Sequence, residues 1–408
     1  MRKVKSLPAG AVPRVTTAQS AKSTFRVAPE KYWDFARLKT APAFRDAPFE
    51  DSKVNGLRAV MVTGFGPDAE DKTFSSPNPK PLSAKENAEF FAYIGFPEGP
   101  VPEGGFPGVV LIHGGGGTAF PQYARLWTQQ GYAVIMPDWY NQRPGPTGNP
   151  EADVIQVPLP GGKRNDYVSN VANIILAHSL LRSLKNVNPE KTAFVGLSWG
   201  SWYGAMVASL DSRFKGGVEI YCGDVKKGSV KHSNAFFNGR FHHAAKIPLY
   251  WVAGTNDQNV TLSTLKAGFQ ECPKVENKSL VIRLPHSHIG FTFPSCFRMA
   301  AHFTQGGPGL PKLSEIDRNG NLVKAKILEL GKGIVKAILC YTDSTKKVYH
   351  ERVWKNVAAK IEKDVVSAEL PEGAHQFFLS VYDEDSQFND LCGSTSPVIL
   401  PFPKTGKK

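Results

Sequence analysis

The serine in Gly196-Leu197-Ser198-Trp199-Gly200 is the residue of this 408-residue chain best placed for nucleophilic chemistry. An apolar run, TAFVGL, precedes it, and small residues suited to a helix start follow. A strand that turns abruptly into a helix forces such a serine into strained backbone geometry, and bulky side chains two positions to either side would clash. The hydroxyl is then exposed above the sheet, and the helix N-terminus offers free N–H groups to a developing negative oxygen. A second Gly-rich segment, GVVLIHGGGGTAF, also follows a buried run. Consecutive glycines let backbone N–H groups approach a carbonyl oxygen, so Gly114 to Gly117 can form half of an oxyanion hole and the Trp199 N–H the other half. Neither GxxxxGK[ST] nor GxGxxG with a following acidic residue is present, which argues against a phosphate-cradling loop.

A serine hydroxyl needs an imidazole to take its proton and a carboxylate to hold that imidazole in the right tautomer. PLYWVAGTNDQNV places Asp257 just beyond an apolar strand, and SLVIRLPHSHIGF places His286 and His288 just beyond the next. All three roles then fall at carboxyl ends of strands, where open sheets bind ligands. His288 is favoured as the base over His286, because three or four residues usually separate strand from base and Ile-Gly-Phe makes a compact return; His286 then serves as a substrate contact. Asp224 is a stand-in acid, one strand before Asp257. His113 is expected to fix the Gly loop rather than carry a proton. His242-His243 resembles a metal pair only superficially, since adjacent residues project apart and no third ligand stands at suitable spacing, so no metal or other cofactor is expected. Trp139 and Tyr140, after the fourth strand, are candidates for lining the substrate pocket.

These residues must be carried by a sheet. Between residues 51 and 310 short β-type runs alternate with helical stretches, the rhythm of a mostly parallel sheet covered by helices on both faces. Eight strands are expected, at 57–63, 89–94, 108–112, 133–137, 192–197, 217–221, 248–253 and 279–284. DYVSNVANIILAHSLLRSLKNV has apolar residues near helical spacing and predicts a helix packed on the sheet. Residues 141–164, crowded with Pro and Gly, predict a long surface loop of the kind that forms lids. Residues 1–50 read as an arm packed on this domain. Beyond GGPGLPKL the pattern alternates with period two, which predicts an accessory antiparallel β-sandwich, immunoglobulin- or fibronectin-like, over residues 311–408, a size able to fold alone.

Composition narrows the function classes. With 41% hydrophobic and 21% charged residues the chain is neither disordered nor fibrous, and no apolar run of about 18 residues spans a bilayer. The opening MRKVKSLPAGAVPR lacks the apolar stretch of a secretory leader. The expected compartment is secreted or periplasmic if a leader was removed, and cytoplasmic otherwise. The +13 net charge can attract polyanions, but the basic residues are dispersed and no nucleic-acid-reading signature is present, so neither nucleic acid nor membrane is an expected partner. Five cysteines without a CxxC pair exclude a disulfide scaffold; in a secreted chain Cys340 with Cys392 is the first candidate bridge.

From about Lys53 to Phe303 the chain resembles the α/β-hydrolase superfamily, within it the acetyl xylan esterase-like and dienelactone hydrolase-like proteins. The resemblance rests on VVLIHGGGGTAF, QYARLWTQQGYAVIMPD, AHSLLRSLKNVNPEKTAFVGLSWG, LYWVAGTND and LPHSHIGF, in that order. It implies Ser198 as nucleophile, Asp257 as acid, a histidine of the PHSH loop as base, and Gly115, Gly116 and Trp199 as oxyanion donors. Ser201 departs from the pattern, where relatives tend to have another glycine. The implied activity is a serine esterase without cofactor, acting on a small ester or an acetylated carbohydrate. The rival readings are an aminoacyl-peptidase, thioesterase or lactone hydrolase on the same scaffold, and a catalytically decayed carbohydrate-binding protein.

Overall fold

The computed structural model describes residue 25 and residues 28–47, 56–65, 88–139, 166–222, 225–228, 231 and 234–401. Tyr140, the 141–164 loop and Asp224 lie outside the described residues. Among the described residues the central sheet has nine strands: β1 (Phe44–Asp46), β2 (Arg58–Gly64), β3 (Ala88–Gly95), β4 (Phe106–Ile112), β5 (Ala133–Pro137), β6 (Val187–Leu197), β7 (Gly216–Ile220), β8 (Leu249–Gly254) and β9 (Val275–Val281). Their spatial order is β1-β2-β3-β5-β4-β6-β7-β8-β9, antiparallel up to the β3–β5 pair and parallel from β5 onward. The additional strand is β1, whose three residues are too few to show alternation in sequence; ahead of it, the Trp33 indole N–H donates to the Val168 carbonyl at 2.9 Å. β4 and β5 are continuous apolar runs because helices cover both faces of the sheet.

Among the described residues seven α-helices flank it: α1 (Phe35–Lys39), α2 (Pro121–Gln129), α3 (Tyr167–Ser183), α4 (Trp199–Leu210), α5 (Asn238–His243), α6 (Leu262–Glu271) and α7 (Pro294–Gln305). α3 is the helix expected from its apolar spacing, and every residue from Tyr167 to Leu181 is buried. Its polar side chains therefore need internal partners. Asn170 donates to the Tyr203 hydroxyl, Asn173 exchanges hydrogen bonds with the Phe65 backbone, and His178 bridges Asp211 and Thr192.

The chain then forms two antiparallel sheets from β10 (Lys312–Leu313), β11 (Asp317–Asn319), β12 (Leu322–Glu329), β13 (Lys336–Thr342), β14 (Lys355–Ala358), β15 (Lys360–Glu362), β16 (Val365–Glu369), β17 (Gln376–Tyr382), β18 (Cys392–Ser394) and β19 (Val398–Ile399). Val323, Leu339, Val366, Leu379 and Val381 fill one apolar cluster within this region. A second set, Ile338, Cys340, Trp354, Phe378, Tyr382 and Cys392, belongs to the same cluster as Trp251 and Leu280 of the central sheet. The two parts are also stitched by polar contacts: the Leu280 N–H donates to Ser394 Oγ at 3.0 Å and the Ser295 N–H to Asp390 Oδ2 at 2.8 Å. All five cysteines are buried free thiols, so Cys340 and Cys392 are neighbours in a core rather than a bridge. Among the described residues no helix is long and apolar enough to cross a membrane.

Candidate active site

Ser198 lies between β6 and α4 with φ 55 and ψ −113, a left-handed geometry that costs a non-glycine residue of order 1–3 kcal/mol and persists only where its surroundings enforce it. Three contacts enforce it here. The Ser198 N–H donates to the Ile220 carbonyl at 2.8 Å, locking the turn to the end of β7. The Ser201 hydroxyl reaches the carbonyls of Ser198, at 2.7 Å, and Tyr221, at 3.2 Å, so the residue that departs from the family pattern ties the turn to its neighbouring strand. The two glycines permit the close packing: a Cβ on Gly196 would sit 2.4 Å from the Gly200 carbonyl oxygen, and one on Gly200 1.9 Å from that of Ile112.

Asp257 stands three residues beyond β8, its carboxylate wholly buried. Oδ1 accepts from the N–H groups of Asn259, at 2.7 Å, and Val260, at 3.0 Å. Oδ2 lies 2.7 Å from Nδ1 of His286. The carboxylate therefore holds His286, not His288. The reason is where β9 ends. The strand stops at Val281, three residues before the expected end, and four residues then separate it from His286. The spacing argument that favoured His288 points to His286 once the true strand end is used. Arg283 makes the intervening turn with φ 56, and the His286 ring stacks on Tyr221, centroids 4.5 Å apart. Tyr221 directly follows β7, whose last residue pairs with Leu197, so the ring that stacks on His286 stands at the strand end next to the serine turn. Tyr221 itself donates its hydroxyl to the Pro285 carbonyl, fixing the residue before the imidazole.

His288 does a different job. Its Nε2 accepts from the Gly114 N–H at 3.1 Å, and its ring lies against Phe120, centroids 4.7 Å apart. A lone pair on Nε2 requires the proton on Nδ1, so this is a neutral imidazole. Burial, with the nearby His113 and His286, pushes its pKa down to about 3. His288 thus braces the Gly loop from below. His113 braces it from the other side, with Nδ1 2.9 Å from the Gly114 carbonyl and Nε2 3.3 Å from Asp138. Trp139, a candidate for the substrate pocket, is instead wholly buried; it stacks on His113 and its indole N–H donates to the His113 carbonyl. The Gly117 N–H closes a turn onto Gly114. Among the described residues the N–H groups of Gly115 and Gly116 make no backbone hydrogen bond, and Trp199 is the first residue of α4.

His242 has the companions that sequence spacing did not disclose. Glu219, Cys222 and His242 are brought together, all buried. His242 Nε2 is 2.7 Å from Glu219 Oε2, a direct hydrogen bond between the two side chains. Glu219 faces the opposite side of the sheet from Ile220, so this trio is separate from the serine and its neighbours.

The histidine environments set an acid limit on stability. Burial, only partly offset by Asp211, holds His178 down to about 4, and His288 is held to about 3. Both folded values lie below the ordinary value near 6.5, so beneath that pH the unfolded chain binds protons that the folded chain refuses. The stabilisation is complete above pH 6.5 and shrinks as pH falls toward 4, by roughly 1.4 kcal/mol per pH unit for each histidine. Urea midpoints measured at pH 7 and pH 5 should therefore fall steeply; equal midpoints would contradict it.

Residues 90–292 match the dienelactone hydrolase family. Among solved structures, an acetyl xylan esterase from Paenibacillus sp. R4 is 17% identical, with 66% of this chain and 92% of that one covered and a TM-score of 0.47. A putative dienelactone hydrolase from Klebsiella pneumoniae is 16% identical over 60% and 94% of the two chains, TM-score 0.40. An acylaminoacyl peptidase from Pyrococcus horikoshii is 12% identical over 62% and 42%, TM-score 0.42. No curated protein matches.

Proposed function

We propose that the chain, whose residues 90–292 match the dienelactone hydrolase family, is a serine hydrolase of carboxylic esters, with Ser198, His286 and Asp257 as its triad. The observation that carries this reading is the 2.7 Å contact between a buried carboxylate and the His286 imidazole, whose ring stacks on Tyr221 at the strand end next to the Ser198 turn. His286 Nε2 takes the proton as Ser198 Oγ attacks the ester carbonyl, and Asp257 stabilises the imidazolium that forms. The oxyanion receives the N–H groups of Trp199 and of Gly115 or Gly116. Collapse expels the alcohol, which takes its proton from His286, and water repeats the sequence on the acyl-enzyme. The finer reading, an acetyl ester of a carbohydrate, is supported by the ordered motifs alone.

The test is labelling by a fluorophosphonate probe mapped to its peptide, followed by turnover of short p-nitrophenyl esters, acetylated xylan, a lactone and aminoacyl substrates. Labelling at Ser198 with hydrolysis of p-nitrophenyl acetate is expected. A chain that binds glycans but takes no label would be the decayed binding protein instead. The relative rates within the panel separate carbohydrate esterase, lactone hydrolase and aminoacyl-peptidase, because the triad serves any acyl transfer and pocket shape selects among them.

A further inference from the structure

The residues flanking Asp257 are bonded to a segment that lies beyond the catalytic domain. Between β13 and β14 the chain makes a short 3-10 turn, Tyr349–Glu351, that crosses onto the acid loop. The Asn256 side-chain amide donates to two carbonyls of that segment, those of His350 and Arg352, both at 2.8 Å. The Asn256 side-chain oxygen accepts from the Thr255 hydroxyl at 2.7 Å, and the Thr255 oxygen accepts the Arg283 N–H at 3.2 Å. Arg283 is the left-handed residue that turns β9 toward His286. One polar chain thus runs from the β13–β14 segment, through the neighbour of the acid, to the turn that delivers the imidazole. A second tie lies at the far end of the acid loop, where the Tyr349 hydroxyl accepts the N–H of Leu262, the first residue of α6, at 2.8 Å. The Tyr349 ring is held in turn by the Arg352 guanidinium, 5.2 Å from its centroid.

We propose that the C-terminal sheets work as a clamp on the catalytic pair, with Asn256 and Tyr349 as positioning residues that set the Asp257–His286 geometry from outside the hydrolase fold. The physical ground is that Asp257 sits on a loop, where geometry is less precise than on a strand, and that a misplacement of about 1 Å is enough to cost up to roughly 100-fold in rate. The loop's own bonds, from Asn259 and Val260, orient the carboxylate relative to α6. The Asn256 chain relates it to the turn carrying His286, adding to the backbone bond from the Thr255 N–H to the Val281 carbonyl at 2.9 Å. The inference rests on the proposed triad.

The experiment compares Asn256→Ala and Tyr349→Phe with the parent chain by two readouts. Turnover of p-nitrophenyl acetate is expected to fall about 10- to 100-fold in kcat for Asn256→Ala with KM nearly unchanged, since nothing that binds ester is altered. The far-downfield proton NMR signal of the His286–Asp257 hydrogen bond, identified by its loss in His286→Ala, is expected to broaden or vanish in Asn256→Ala and to shift in Tyr349→Phe. That signal needs no turnover, so it decides the clamp even if the chain proves not to hydrolyse esters, while turnover abolished by Ser198→Ala supports the triad independently. Variants that melt at lower temperature yet keep parental kcat and an unmoved signal would overturn the clamp and leave the C-terminal sheets as mere packing. A parent chain with no such signal would overturn it too. If Asn256→Ala does not fold, Tyr349→Phe, which removes one hydroxyl from an intact ring, carries the same decision.

Discussion

Ser198→Ala is expected to lower kcat for p-nitrophenyl acetate by roughly 10⁴-fold or more while leaving secondary structure and Tm unchanged. The substitution removes the attacking oxygen and nothing that holds the fold. The bonds that maintain the φ of 55 run from the backbone N–H of residue 198 to Ile220, and from Ser201 to the carbonyls of residues 198 and 221, all of which survive. Alanine carries the same Cβ as serine, so the backbone strain is not raised. Any residual rate over water would come from the oxyanion donors and binding alone. Turnover at the parental rate, with the variant folded, would remove the mechanism.

The second large effect separates two histidines that stand two positions apart. His286→Ala should also cost roughly 10⁴-fold or more in kcat, because both proton transfers pass through that ring. It leaves Asp257 buried with its Asn259 and Val260 donors but without the imidazole. His288→Ala should cost much less, about 10- to 100-fold, since it removes the acceptor of the Gly114 N–H and loosens the loop bearing the oxyanion donors without touching proton transfer. His288→Ala, with that buried ring gone, should also flatten part of the stability decline between pH 6.5 and 4. If His288→Ala proves the more damaging to kcat, the roles are reversed and the observed carboxylate contact is not the productive one.

Much of this arrangement is legible in the residues. GLSWG after an apolar run specifies a strand–turn–helix because glycine at 196 and 200 is what lets the Ile112 and Gly200 carbonyls come so close. Asp257 follows from its place after a run of buried residues. The expected strands recur with ends displaced by a few residues, and that small displacement is why the spacing favoured His288 over His286, the ring the carboxylate contacts: Ile282, Arg283 and Leu284 extend the apolar alternation, yet Arg283 breaks the strand by adopting positive φ under the Thr255 hydroxyl. Nothing in the local pattern announces that bond, since its two partners lie 28 residues apart. Trp139 illustrates the same limit. An aromatic after a strand fits a pocket wall or a packing role equally, and its stacking on His113 decides for packing.

By itself, then, the chain's order of residues determined the parallel α/β framework, the strained serine turn, the Gly loop and the place of Asp257 after its strand, because each follows from short-range sterics and from the periodicity of burial. Tertiary structure alone decided which imidazole faces the carboxylate, that His288 and His113 brace the Gly loop, that Glu219, Cys222 and His242 meet, and that the C-terminal sheets reach the acid loop. Those outcomes depend on contacts between segments far apart in the chain. They are fixed by how strands end and sheets twist against one another, quantities that no local window of residues contains.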